Sequence, residues 1–128
     1  MKNQGEFLNL SRDAQKRIAV INDFCGFGRC SIAVSLPIIS AMKIQCCPIP
    51  TSIFSNHTGY DSYYYTDYTE HMDRYIDEWE KLGLNFDGIL SGFLGSPEQI
   101  DIVSRFLHIL PPRSQKTLTE KQSKRKAV

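Results

Sequence analysis

The chain has 128 residues, and its 41% hydrophobic and 23% charged residues are typical of one globular domain. No apolar run reaches the ~20 residues of a membrane helix, and residues 1–16 lack the apolar core of a secretory signal. We therefore expect a cytoplasmic protein with no membrane partner. The four cysteines contain no CxxC pair, so a structural zinc site is not expected. A disulfide framework is not expected either, because the apolar segments can build a core without one.

The net charge of +1 is divided unevenly along the sequence. Residues 113–128 contain six Lys or Arg and one Glu, whereas residues 1–112 contain nine Lys or Arg and thirteen Asp or Glu. Residues 1–16 are interpreted as a flexible arm and residues 111–128 as a basic, disordered tail. A basic tail can contact nucleic acid, but no aromatic residue interleaves these charges, so nucleic-acid binding is the less favoured interpretation.

Strand-like and helix-like segments alternate along the chain. Short runs rich in β-branched residues predict strands, and longer segments with helical spacing of apolar residues predict helices. In order, the predicted elements are Arg17–Asn22, Ser31–Met42, Ile44–Ile53, Asp67–Leu82, Asp87–Ser91 and Ser96–Leu110. This alternation predicts an α/β fold, a three-layer α/β/α arrangement of about three βα units around a mostly parallel sheet.

Local signals refine these elements. Two prolines in the second strand predict that its pairing stops by about Pro48. Ser96 is expected to cap the last helix, with Gln99 completing a capping box. An ion pair between Asp77 and Lys81 is expected on the middle helix, which should end at Gly83. The buried faces of the last two helices are predicted to be Met72, Tyr75, Ile76, Trp79 and Leu82, then Ile100, Val103, Phe106, Leu107 and Leu110.

Three loops follow the predicted strands, at residues 22–30, 54–60 and 92–96. The carboxyl ends of parallel strands meet at one edge of a sheet, where ligands bind in a crevice. The sequence therefore predicts one binding site built from three separate parts of the chain.

The first of these loops contains two glycines, Gly26 and Gly28, shortly before a predicted helix. Glycine lets the backbone approach a ligand closely, and the amides at the start of the helix could hold an anion. A tight turn between strand and helix explains the same glycines equally well. No GKS or GKT follows, so the loop is not a Walker A motif.

The other two loops carry polar and aromatic side chains. Residues 54–60 combine hydroxyl, amide and imidazole groups with aromatic rings, a mixture that suits a small polar aromatic ligand. His57 is a candidate for acid–base chemistry, although a simple turn accounts for this segment too. Glycines around Phe93 aim that ring at the crevice. A tyrosine cluster suits either a flap, a subunit interface or an ordinary surface: Tyr60, Tyr63, Tyr64, Tyr65 and Tyr68.

Two strings of residues carry a family resemblance. Residues 55–60 read SNHTGY, and residues 91–96 read SGFLGS, followed by Glu98 and Gln99. Together these segments resemble pyridoxal kinases of the ribokinase-like superfamily, over the N-terminal part of that family and roughly residues 17–110 of this chain. The related hydroxymethylpyrimidine kinases differ in the second loop but share the first, so they remain the alternative.

The resemblance implies ATP-dependent phosphorylation of the 5′-hydroxymethyl group of pyridoxal, pyridoxine or pyridoxamine. It also implies a homodimer. It implies substrate contacts at six positions, namely Asn22, Asp23, Phe54, Thr58, Gly59 and Phe93. Asn22 stands where many members have serine, and Phe93 stands where tyrosine is commoner. No metal ligand is implied within this chain.

The resemblance also implies what the chain lacks. Family members continue with motifs that bind ATP and Mg²⁺ and supply the catalytic base, and nothing after Leu110 resembles them. We therefore expect an inactive fragment, arising from truncation or a change of frame near His108, with an open sheet edge that favours association. A non-catalytic fragment that binds vitamin B6 or interferes with a dimer is the competing interpretation.

Overall fold

The computed structural model describes residues 15–113. In this part of the chain, the elements are β1 (Arg17–Phe27), α1 (Ile32–Ala41), β2 (Gln45–Asn56), β3 (Tyr65–Asp67), α2 (Thr69–Lys81), β4 (Gly88–Ser91) and α3 (Pro97–Ile109). The predicted arm, residues 1–16, and the predicted tail, residues 111–128, lie almost entirely outside the described residues.

The four strands form one sheet in the order β3-β2-β1-β4. The central strand, β1, pairs in parallel with β2 on one side and with β4 on the other, and β3 joins β2 in the antiparallel direction. The predicted α/β fold with a mostly parallel sheet is therefore confirmed.

Alternate residues of β1 face two separate apolar layers. Val20 is fully buried and packs with Ile32 and Ile39 of α1. Ala19 and Ile21 point the other way, into a larger core beneath α2 and α3. That core consists of Ala19, Ile21, Ile49, Met72, Ile76, Phe86, Ile102, Val103, Phe106 and Leu110. Helices therefore cover both faces of the sheet, as the three-layer prediction requires.

The prediction that pairing stops near Pro48 is wrong. The parallel ladder between β1 and β2 includes both Pro48 and Pro50 and continues to Asn56. The Pro48 carbonyl accepts a hydrogen bond at 2.5 Å from the Tyr75 hydroxyl of α2, so this residue turns its polar groups away from β1. β3 pairs only with residues 52–54, which leaves β2 an edge strand here, and an edge tolerates a missing N–H.

The first strand is also longer than predicted. It runs to Phe27, where the sequence indicated a turn from Asp23 to Cys30. Its register with β2 shifts between Asn22 and Phe24, which is the signature of a β-bulge. Because pairing with β2 resumes after the bulge, the polar residues Asn22 and Asp23 lie within the sheet. The antiparallel strand β3 has no counterpart among the predictions, which treated its residues as loop and helix start.

Most of the predicted buried face of α2 is confirmed. Met72 and Ile76 are fully buried, and both Tyr75 and Trp79 pack against the core. Leu82 was expected in the same face but is 51% exposed. Leu82 is the C-cap residue and keeps helical backbone, because its N–H bonds to the Glu78 carbonyl at 3.1 Å, so its side chain is exposed at the end of the helix.

The end of α2 differs in one contact. The expected pair of Asp77 with Lys81 is wrong, because the Lys81 ammonium lies 2.8 Å from Glu78. Asp77 instead lies 3.3 Å from the guanidinium of Arg105 on α3. Gly83 has a φ of 63°, which confirms the left-handed residue predicted after this helix.

The predicted face of α3 needs two corrections. Ile100 and Leu107 are 55% and 37% exposed, whereas Ile102 and Gln99 are buried. The buried stripe follows Gln99, Ile102, Val103, Phe106 and Leu110, with helical spacing. The sequence pattern missed its first member because glutamine is polar, although here its amide is fully buried.

Ser96 caps α3 as predicted, because its hydroxyl accepts a hydrogen bond at 3.4 Å from the main-chain N–H of Gln99. The second hydrogen bond of the capping box, from the Gln99 side chain, differs from the prediction. The Gln99 side chain accepts from the N–H of Gly95 at 2.7 Å instead of that of Ser96. The amide thus holds the loop before the helix.

Candidate functional site

A cavity of about 470 Å³ opens at the carboxyl ends of the parallel strands. Its lining comes from β1, β2, β3 and the loops that follow β1, β2 and β4. The lining residues are Asp23, Cys25, Cys30, Ser31, Ser52, Phe54, His57, Thr58, Tyr63, Tyr65, Asp67, Phe93 and Gly95. All three predicted loops therefore meet at one site, which agrees with the expected convergence.

Asp23 forms the buried acidic end of this cavity. Its carboxylate accepts a hydrogen bond at 2.6 Å from the Ser31 hydroxyl and a longer one, 3.5 Å, from the Cys25 thiol. Asp23 is only 8% exposed. The carboxylate is thus held in position by β1 and by the residue that precedes α1.

Asn22 supports the site without lining the cavity. Its side-chain oxygen accepts from the main-chain N–H groups of Asp23 and Phe93, each at 2.9 Å. A Cβ at Gly92 would lie 2.3 Å from the Asn22 amide nitrogen, so only glycine fits at that position. Asn22 therefore ties the loop after β4 to the middle of β1.

The glycines predicted to hold an anion do not line the cavity. A Cβ at Gly26 would lie 2.9 Å from the main-chain oxygen of Ser55, so this glycine allows β1 and β2 to approach closely. Gly28 has a φ of 124° and lies beside His57, where the chain leaves β1. Gly28 thus fits the alternative interpretation, a turn between strand and helix, whereas Gly26 serves strand pairing inside β1.

The second loop presents Thr58 and His57 to the cavity. The His57 ring accepts a hydrogen bond at its Nδ1 from the N–H of Gly59, at 2.9 Å. A ring that accepts at Nδ1 carries its proton on Nε2, which can then donate to a ligand. Gly59 does not line the cavity, but a Cβ there would lie 2.8 Å from that same Nδ1. Gly59 thereby keeps room for the imidazole.

Aromatic rings form the apolar wall. The Phe54 ring stacks on Tyr65, with centroids 5.3 Å apart and planes at 20°. Phe93 meets Phe54 edge-on at 6.3 Å, and Tyr63 lies 5.7 Å from Phe54. Phe93 is 50% exposed, so its ring remains open to a ligand. Phe54 and Phe93 are thus brought together as predicted, and two of the five clustered tyrosines join them.

The loop after β4 is fixed by a buried glutamine. Gln99 donates to the Thr51 carbonyl at 2.9 Å and to the Thr69 hydroxyl at 3.0 Å, while it accepts from Gly95. The Thr51 hydroxyl donates to the carbonyl of Phe93 at 3.0 Å. These bonds join β2, α2 and α3 around the residues that carry the ring of Phe93.

Sequence reasoning missed several lining residues. Ser52 is placed by the bulge in β2, and Asp67 is placed by the unpredicted strand β3. Cys25 and Cys30 line the cavity although they were considered only as potential metal or disulfide residues. Burial, together with the neighbouring Cys30 thiol and Asp23, raises the pKa of Cys25 to about 12. Cys25 is therefore a neutral thiol at physiological pH.

Two further features of residues 15–113 bear on chemistry. This stretch contains no group of three or more His, Cys, Asp or Glu side chains arranged to hold a metal ion. None of its helices has the length and apolar character needed to cross a membrane. The site that remains is an aromatic cavity with a carboxylate, hydroxyls and an imidazole at its polar edge, which suits a small flat ring with polar substituents.

The chain was compared with known proteins. A scan against protein-family models and a search of curated proteins both gave no match. A candidate phosphomethylpyrimidine kinase from Bacteroides thetaiotaomicron is 47% identical, with a TM-score of 0.73 over 74% of this chain and 33% of its own. A second crystal form of that kinase, solved with pyridoxal, is 48% identical, with a TM-score of 0.71 over 73% of this chain and 33% of its own.

Pyridoxal kinases share the same fold. The enzyme from Lactobacillus plantarum is 25% identical, with a TM-score of 0.72 over 77% of this chain and 36% of its own. The enzyme from Trypanosoma brucei, 17% identical, matches in fold alone, with a TM-score of 0.64 over 80% of this chain and 39% of its own. The fold is thus that of ribokinase-like kinases.

The resemblance predicted from the second and third loops is confirmed. The chain is similar to ribokinase-like kinases, a group that includes the pyridoxal kinases. It spans about a third of the length of the relatives that it matches.

Proposed function

We propose that this chain forms the vitamin-binding part of a kinase that phosphorylates the 5′-hydroxymethyl group of pyridoxal or a related form of vitamin B6. The observation that carries the proposal is the cavity at the carboxyl ends of the parallel strands, where aromatic rings face a buried carboxylate. Its volume of about 470 Å³ lies in the range of small-molecule sites. A relative that is 48% identical over the matched segment was crystallised with pyridoxal.

The chemistry of the lining suits a substituted pyridine. A flat aromatic ring would contact Phe54 and Phe93. Contacts between aromatic rings stabilise a complex beyond the area that they bury. The ring substituents would find a carboxylate at Asp23, a hydroxyl at Thr58 and an N–H donor at His57. Three different polar groups at one edge of an aromatic cavity can fix the orientation of a vitamin that carries hydroxyl, aldehyde and hydroxymethyl groups.

Phosphoryl transfer needs more than this cavity. In kinases the transferring phosphate is stabilised by metal ions and backbone amides, and a base positions the attacking hydroxyl. Since the chain spans about a third of its relatives' length, we assign to it only the binding of the vitamin. ATP, Mg²⁺ and the catalytic base are assigned to other parts of such a kinase. By this proposal the chain alone binds pyridoxal without phosphorylating it.

Calorimetric titration of the purified chain with pyridoxal tests the proposal. Phe54→Ala should weaken binding about tenfold, because a lost aromatic contact of about 1.4 kcal/mol corresponds to that factor. Tyr64→Ala is the matched control, since Tyr64 is 75% exposed and is not among the lining residues. Equal affinity of both variants, or no binding by the unchanged chain at millimolar pyridoxal, would contradict the proposal.

Adding ATP and Mg²⁺ to the same mixture tests the assignment of roles. Pyridoxal should remain unphosphorylated, as measured by the absorbance of pyridoxal phosphate after separation. Formation of pyridoxal phosphate by the chain alone would refute the view that it only binds the vitamin.

A second candidate substrate is a hydroxymethylpyrimidine, which the similarity to the candidate phosphomethylpyrimidine kinase of Bacteroides thetaiotaomicron favours. This ring has the same flat shape and a hydroxymethyl group but lacks the phenolic hydroxyl of pyridoxal. Competition between the two alcohols for the chain distinguishes them. Displacement of pyridoxal by an equal concentration of the pyrimidine would favour the second candidate.

A further inference from the structure

Two cysteines, Cys25 and Cys30, flank the turn at the end of β1. Phe24 and Ser31 form an antiparallel bridge, so the next residues inward, Cys25 and Cys30, lie opposite each other. Residues opposite each other in an antiparallel pair have Cα atoms about 4.5–5.5 Å apart. Disulfides span about 4.4–6.8 Å between Cα atoms, so the register indicates that this pair can be bridged.

The two thiols share the wall of the cavity and differ in exposure. Cys25 is only 3% exposed, while Cys30 is half-buried. The Cys25 thiol donates to Asp23 at 3.5 Å, and the Cys30 thiol lies close enough to contribute to the raised pKa of Cys25. Both are free thiols in the structure. A buried thiol next to a more accessible one is the arrangement in which one cysteine reacts first and the other resolves the product.

We propose that Cys25 and Cys30 are an oxidative modification site that forms a reversible disulfide in the cavity wall. The oxidant is a low-molecular-weight disulfide such as oxidised glutathione. The Cys30 thiolate attacks one sulfur of the oxidant and expels one glutathione thiolate. The Cys25 thiol then passes its proton to the Asp23 carboxylate, its hydrogen-bond acceptor, while its sulfur attacks the Cys30 sulfur of the mixed disulfide and expels the second glutathione thiolate. The protons of both cysteines pass to the two glutathione thiolates, so two thiols are oxidised and one disulfide is reduced.

The bond would act on the site through Asp23. Oxidation removes the S–H donor that Cys25 directs at this carboxylate, leaving the 2.6 Å bond from Ser31. We expect the oxidised chain to bind pyridoxal about fivefold more weakly, the effect of one lost hydrogen bond. This effect on affinity rests on the proposed function, whereas formation of the disulfide does not.

The other two cysteines provide an internal control. Cys46 and Cys47 are adjacent on β2, and their side chains pack against opposite faces of the sheet. Successive residues of a strand point in opposite directions, so these two thiols cannot meet in the folded chain. An oxidant that acts by proximity should therefore distinguish the two pairs.

The experiment uses the full chain under native conditions with oxidised glutathione, followed by alkylation and trypsin. Cleavage after Arg17, Arg29 and Lys43 separates the two cysteines into peptides 18–29 and 30–43. We expect these peptides as one linked species that dithiothreitol separates. The Cys46→Ser, Cys47→Ser double variant should retain the link.

Detection of glutathione on Cys30 with Cys25 still open to alkylation would overturn the proposal, as would linkage of Cys25 to another peptide. The affinity of the Cys30→Ser variant for pyridoxal should not respond to the oxidant. A disulfide that forms without altering pyridoxal affinity would refute the coupling to Asp23. Failure of the reduced chain to bind pyridoxal would instead count against the proposed function alone.

Discussion

Replacement of Gln99 by leucine should lower the free energy of unfolding by about 3 kcal/mol. The Gln99 amide is fully buried and forms three side-chain hydrogen bonds, with Gly95, Thr51 and Thr69. Leucine has a similar volume, so the change isolates these bonds from packing, and each contributes about 1 kcal/mol net. The Thr51 carbonyl keeps a second donor, the N–H of Tyr68 at 3.0 Å, which makes 3 kcal/mol an upper value.

Urea denaturation followed by fluorescence measures this change. Trp79 is the sole tryptophan and packs against Phe86 and Phe106, at centroid distances of 5.3 and 6.2 Å, so its emission reports on the core. Gln45→Leu is the matched control, because Gln45 is exposed at the start of β2. A destabilisation by Gln99→Leu below about 0.5 kcal/mol, the range of ordinary surface changes, would refute the reasoning.

Three further predictions use other features of the structure. Gly83→Ala should destabilise the chain by about 1 kcal/mol in the same urea assay, because Gly83 has a φ of 63°. Gly88→Ala is the control and should not destabilise it, because Gly88 has an ordinary φ and an added Cβ would lie 3.7 Å from its nearest neighbour. Arg105→Met should cost less than about 1 kcal/mol, and the loss should shrink in high salt, because its ion pairs with α2 are exposed. The folded-state pKa of Cys25 is raised from 9.0 to about 12, so its contribution to stability is present below pH 9 and is lost as the pH rises towards 12. Cys25→Ala should flatten that part of the stability profile, and an unchanged slope between those pH values would contradict the assignment.

The alternation of apolar residues was enough to predict the layers of the fold. Ala19 and Val20 are adjacent and both fully buried, which indicates a strand covered on both faces, and the spacing of Met72 and Ile76 identifies a helix beneath it. The extent of β2 could not be predicted in this way. Whether Pro48 ends a strand depends on which edge of β2 has no neighbouring strand beside that residue, and the position of β3 determines this.

The sequence predicted the parts of the site that lie in loops directly after strands. It did not predict the contacts in which a side chain from one segment bonds to another segment. The convergence of Phe54, Thr58 and Phe93 follows from parallel strands alone. The role of Asn22 does not, because its amide bonds to a residue 71 positions away along the chain. The pairing of Cys25 with Cys30 depends on β1 continuing through the bulge, which no local pattern indicates.

The prolines of β2 also determine how this sheet can grow. Pro48 and Pro50 lie two residues apart, so both lack a donor on the flank of β2 away from β1, and a strand docking there would meet missing N–H groups. The opposite flank is bounded by β4, which carries no proline. Within the described residues, extension by a further strand is therefore directional: the outer rim of β4 can accept a partner, while the proline-bearing rim resists one.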